Sequence, residues 1–96
     1  MKVKELIEFI EDVQPNSLWM ANDAIGNKCK RVAKGINRDK HRWYSVATDV
    51  YECEDGFVGV TAPSELYDEC ATWADLDEGF SVEEYRQVMT VSYQPL

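Results

Sequence analysis

Two runs of strand-forming residues, Arg42 to Cys53 and Phe57 to Thr61, stand on either side of Glu54-Asp55-Gly56. Valine, threonine and aromatic side chains suit a pleated sheet, and an Asp-Gly pair supplies the tight turn that returns one strand antiparallel to another. This hairpin constrains the chain more than any other feature, because a sheet must bury a face against something. Tyr44, Val46, Thr48 and Val50 fall on one side of the first strand, and Trp43, Ala47, Tyr51 and Cys53 on the other. Both faces have apolar content, as in a central strand whose second face is covered by a helix or a partner.

The rest of the chain supplies the covering elements. Val3, Leu6, Ile7, Ile10 and Val13 follow a helical spacing, which predicts an amphipathic helix over 2–13 that Pro15 stops. Asn16 or Ser17 can cap a second, short helix carrying Leu18, Trp19 and Ala21, followed by a loop from Asp23 to Asn27. Residues 28–36 read as a strand and Asn37-Arg38-Asp39-Lys40 as a turn, which makes a three-stranded meander with the central hairpin. Pro63-Ser64-Glu65 reads as a helix start, with Leu66, Cys70 and Trp73 as its apolar stripe. Ser81-Val82-Glu83-Glu84 has the capping-box pattern of a further helical turn. Met89, Val91 and Tyr93 alternate with polar residues and predict a closing strand. The expected fold is a single α+β domain, 1–96. Its antiparallel sheet has three to four strands, a meander plus a C-terminal strand, with helices in the N-terminal part and the C-terminal half on one side.

Several function classes are disfavoured. No apolar run approaches the ~20 residues that span a bilayer, and the N-terminal stretch lacks the pattern of a signal peptide, so a cytoplasmic protein without membrane attachment is expected. Cys29, Cys53 and Cys70 are odd in number and widely spaced, a poor disulfide framework that lacks the paired spacing of a zinc site. His41, the sole histidine, has no serine or cysteine in a recognisable local motif. Asp49, Glu52, Glu54 and Asp55 are the nearest approach to a metal-binding carboxylate group, but Asp49 and Glu52 are an odd number of residues apart on a strand and point to opposite faces. They read instead as a solvated strand end. The expectation is a non-enzymatic binding protein with no metal and no cofactor.

Charge is distributed unevenly, and two binding surfaces follow from that. Seven of the ten basic side chains fall within residues 28–42, whereas the chain as a whole carries −8. Lys28, Lys30, Arg31, Lys34, Arg38, Lys40 and Arg42, with Trp43 beside them, could grip a nucleic-acid backbone and stack a base. Glu65, Asp68, Glu69, Asp75, Asp77, Glu78, Glu83 and Glu84 lie within 20 residues, with Tyr85 as an aromatic neighbour. Like charges three and four apart on a helix weaken it, so local folding does not call for Glu65, Asp68 and Glu69 together. The functional reading is a carboxylate array that imitates phosphates and occupies the basic groove of a nucleic-acid-handling protein.

Val82-Glu83-Glu84-Tyr85-Arg86-Gln87-Val88-Met89-Thr90-Val91 and Lys4-Glu5-Leu6-Ile7 carry a resemblance to a known family. In these stretches the chain resembles the small acidic phage anti-CRISPR proteins that inhibit Cas9. The resemblance implies an inhibitor encoded by a phage or mobile element. It would sit where a Cas nuclease loaded with guide RNA reads its target DNA, with Glu83, Glu84 and Tyr85 carried over by position. Residues 14–27 and the basic character of 28–42 depart from that family. The leading expectation is inhibition of a nucleic-acid-processing protein through the acidic surface, and the alternative is a nucleic-acid-binding module built on 28–44.

Overall fold

The computed structural model describes residues 1–40, 44–66, 80–89 and 92–96. Within them the chain is α+β: helices α1 (Val3–Val13) and α2 (Leu18–Ile25) precede strands β1 (Lys30–Lys40), β2 (Tyr44–Cys53), β3 (Gly56–Leu66), β4 (Ser81–Met89) and β5 (Ser92–Pro95). The five strands form one antiparallel sheet in sequence order, one or two more than the three to four expected. Among the described residues no helix is long and apolar enough to cross a membrane.

α1 forms where its apolar spacing predicts. Glu5 accepts a hydrogen bond from the Lys2 amide at 3.1 Å, and Asp55, in the β2–β3 turn, accepts one from the Val3 amide at 2.8 Å. Two of the unpaired donors that every helix start exposes are thereby satisfied. The Glu54 amide donates to the Met1 carbonyl at 3.1 Å, which fastens the chain before α1 to the same turn. Gln14 ends the helix in a left-handed conformation just before Pro15. α2 is capped by Ser17, whose Oγ accepts from the Met20 amide at 3.1 Å, and it runs on to Ile25, through the first part of the expected loop.

Leu6 and Ile10 of α1, and Leu18, Ala21 and Ile25 of α2, bury one stripe each against Ala47, Tyr51, Val58, Val60 and Ala62 on one face of the sheet. Val82 of β4 packs against the same cluster. On the opposite face Thr48 and Val50 are also buried, and the Thr48 and Thr61 hydroxyls share a hydrogen bond of 2.7 Å. Tyr85 lies on that face against Gly59, where an added methyl group would overlap its ring. β2 is thus a central strand apolar on both sides.

Three expectations are corrected. Asn37, Arg38, Asp39 and Lys40 do not form a turn but continue β1, which stays paired with β2 as far as Lys40↔Ser45. Asn37 and Gly35 adopt positive φ of 53° and 65°, and the β1–β2 register slips three times, so the turn-prone residues are absorbed as bulges. Pro63-Ser64-Glu65 does not start a helix. β3 runs to Leu66, with a register slip just after Pro63 that leaves Ser64 as the extra residue and lets its Oγ donate to the Ser45 carbonyl at 3.3 Å. Ser81-Val82-Glu83-Glu84 does not open a helical turn either, because β4 pairs with β3 from Thr61↔Ser81 to Phe57↔Tyr85. In both places a neighbouring strand satisfies more backbone groups than a local cap would. The expected stripe residues Cys70 and Trp73 lie outside the described residues.

Candidate functional site

α2 and β1 meet across a cleft of about 640 Å³. Leu18, Trp19 and Asn22 line it from the helix, Arg31, Lys34, Gly35 and Arg38 from β1, Asp49 from β2 and Ser64 from β3. In a regular strand Arg31 and Lys34 would point to opposite faces, since they are three residues apart. The register slips between Arg31 and Ala33 and between Ala33 and Ile36 change the phase of the strand and bring both into one cleft.

Asp49 organises the cleft. Its side chain is only 3% exposed, and it accepts from the Gly35 amide at 2.8 Å through one oxygen and from Arg31 Nη1 at 3.4 Å through the other. A buried carboxylate requires such partners. The Gly35 amide reaches it because that residue adopts the left-handed conformation glycine tolerates. Asp49 is therefore a structural anchor of β1, not part of a solvated strand end. The other carboxylates once grouped with it are dispersed: Glu52 is exposed, Glu54 lies 3.7 Å from the Met1 amine and Asp55 caps α1.

Tyr51 ties β2 to α2 by donating from its hydroxyl to Asn22 Oδ1 at 3.1 Å. Burial first, then the charge of Asp49, holds the Tyr51 phenol above its ordinary value. Trp19 is 74% exposed, the most exposed large apolar side chain among the described residues, and it borders the cleft.

The basic segment is thus divided. Arg31, Lys34 and Arg38 share the cleft, whereas Lys28 lies 5.2 Å from the ring centre of Phe9, and Lys30 and Lys40 are exposed outside the cleft lining. Arg42 and Trp43 lie outside the described residues. Comparison with protein-family models, with curated proteins and with solved structures returns no match to this chain. The chemistry of the cleft must therefore be read from its own residues.

Sequence reasoning missed Trp19, Asn22, Gly35 and Asp49 as cleft residues. One signal was available for Trp19. Leu18, Ala21 and Ile25 define the buried stripe of α2, and the residue after Leu18 is turned ~100° away from it.

The acidic residues are less concentrated where they are described. Glu83 and Glu84 are both exposed but alternate between faces of β4. Glu84 shares a shallow groove of about 460 Å³ with Glu8, Glu11 and Asp55, beside Lys4. Tyr85 is 4% exposed, which withdraws it as a partner-binding anchor. Glu65 belongs to β3, not to a helix. Asp68, Glu69, Asp75, Asp77 and Glu78 lie outside the described residues.

Proposed function

We propose that this protein binds single-stranded nucleic acid in the cleft between α2 and β1. The observation that carries the reading is the exposed indole of Trp19 on a cleft whose opposite wall supplies Arg31, Lys34 and Arg38. Cations that track a phosphate backbone beside an aromatic platform are the elements of sequence-tolerant single-strand binding. A duplex already stacks its bases and offers no free base face to an indole. The charge of Asp49 is opposed by Arg31, so it does not close the cleft to an anion. The acidic remainder of the molecule weakens long-range attraction, while counterion release at the contacted phosphates makes binding tighten as salt is lowered.

Fluorescence anisotropy with labelled single-stranded RNA, single-stranded DNA and duplex DNA tests this. The wild type binds the single strands in preference to the duplex, with a slope of log affinity against log salt of about −1.4 for the two phosphate contacts of Lys34 and Arg38, since Arg31 is committed to Asp49. Trp19→Ala weakens binding by roughly 5- to 150-fold, the range for loss of one stacked base. Combining Lys34→Ala with Arg38→Ala flattens the salt slope by about 1.4. Absence of single-strand binding at low salt, or wild-type affinity in these variants, would overturn the reading.

A second reading rests on the groove that gathers Glu8, Glu11, Asp55 and Glu84. Such a surface suits the basic groove of a nucleic-acid-processing protein, and Glu84 is the one residue in it that the resemblance to Cas9 inhibitors carries over by position. On that reading, Glu11→Lys with Glu84→Lys abolishes capture of a Cas9–guide complex and leaves oligonucleotide binding unaltered.

A further inference from the structure

Lys30 and Glu52 are the last register partners at one end of the β1–β2 ladder. The next residue outward on each chain is a cysteine, and the sulfurs of Cys29 and Cys53 stand 3.9 Å apart. Cys29 is buried and Cys53 half-buried, and both are free thiols. We propose that Cys29 and Cys53 are a cross-strand disulfide site, which a small-molecule disulfide such as oxidised glutathione converts to a cystine joining the base of β1 to β2. The sulfurs need to approach by roughly 2 Å to reach bonding distance, and the ladder already holds their backbones side by side. The proposal stands apart from the nucleic-acid reading.

The exchange proceeds in two displacements. The Cys53 sulfur, the more accessible, loses its proton and attacks one sulfur of the glutathione disulfide. That S–S bond breaks and one glutathione leaves, taking up a proton. Cys29 then loses its proton and attacks Cys53 Sγ, breaking the mixed disulfide and releasing the second glutathione. The protein gives up two electrons and two protons, and the reagent is reduced to two thiols. Burial, followed by the neighbouring Cys29 and Asp55, pushes the Cys53 thiol up to about 12, so its thiolate is scarce at neutral pH. The rate therefore rises about tenfold per pH unit across the mildly alkaline range.

The test uses the full chain carrying Cys70→Ser, incubated folded in a glutathione redox buffer at several pH values and followed by intact mass and peptide mapping. The expected product has lost two hydrogen atoms, yields a peptide cross-linked between 29 and 53, keeps its circular dichroism spectrum and unfolds at a higher temperature, because the cross-link restricts the unfolded chain. Addition of Cys29→Ser leaves one glutathione on Cys53 and no gain in unfolding temperature. Accumulation of glutathione adducts alone on the folded protein, or a cross-link that forms only in urea, would overturn the proposal. Should Cys70→Ser fail to fold, mapping of the wild type decides. A 29–53 link supports the site, and a link to Cys70 in its place refutes it.

Discussion

Gly59 shows how much one missing side chain can determine. It lies within β3, and its bare backbone receives the ring of Tyr85. Replacement by alanine forces ring or strand to move, an overpacking cost of typically 1–3 kcal/mol. Gly59→Ala should lower stability by about that amount in urea denaturation. Part of the loss should vanish when Tyr85→Ala is added, since the clash then has no partner. Equal losses from Gly59→Ala with and without Tyr85 would show that the ring is not responsible. Asp49 makes a similar point for charge. Its position on a strand was plain from the sequence, but its burial was not. The partner that matters most, the Gly35 amide, is a backbone group that no pattern of side chains reveals.

At the scale of elements, local signals succeeded where no strand competed for the same residues. α1 was legible from its spacing and Pro15, and α2 from Ser17. The second cap of α1 was not, because Asp55 comes from a turn 52 residues away. Ser17→Ala and Asp55→Ala should each cost about 1 kcal/mol. They share no partner, so the double variant should lose about the sum, read as a shift in urea midpoint at constant slope. An Asp55→Ala variant as stable as wild type would mean that solvent replaces this cap. The helix signals at Pro63 and Ser81 failed for one reason: a capping pattern describes a few residues, whereas a sheet edge offers partners along a whole segment. The cleft was half legible. Its cations stood out as a run, but the bulges that select Arg31, Lys34 and Arg38 depend on pairing with β2.

For the molecule as a whole, two titrating groups of β2 tie stability to alkaline pH. Tyr51 is buried in the core and Cys53 packs against it, and both hold their protons more tightly in the fold than their ordinary values of 10.0 and 9.0. Above about pH 9 the unfolded chain sheds protons that the native chain keeps, so the stability contributed by these two groups is fully present below that point and declines from about 9 through about 12. Urea midpoints measured across that range should fall, and Cys53→Ser should delay the onset of the fall toward the ordinary tyrosine range. An unchanged midpoint up to about pH 11 would contradict the burial of both groups. The border of the sheet formed by β1 has a further consequence. Three register slips, two residues at positive φ and several cations leave it without a straight, neutral run of free amides and carbonyls. Such a margin is a poor template for a strand from another molecule. Amyloid-like stacking of this protein should therefore not begin at β1, and concentrated solutions should resist fibre growth from that side.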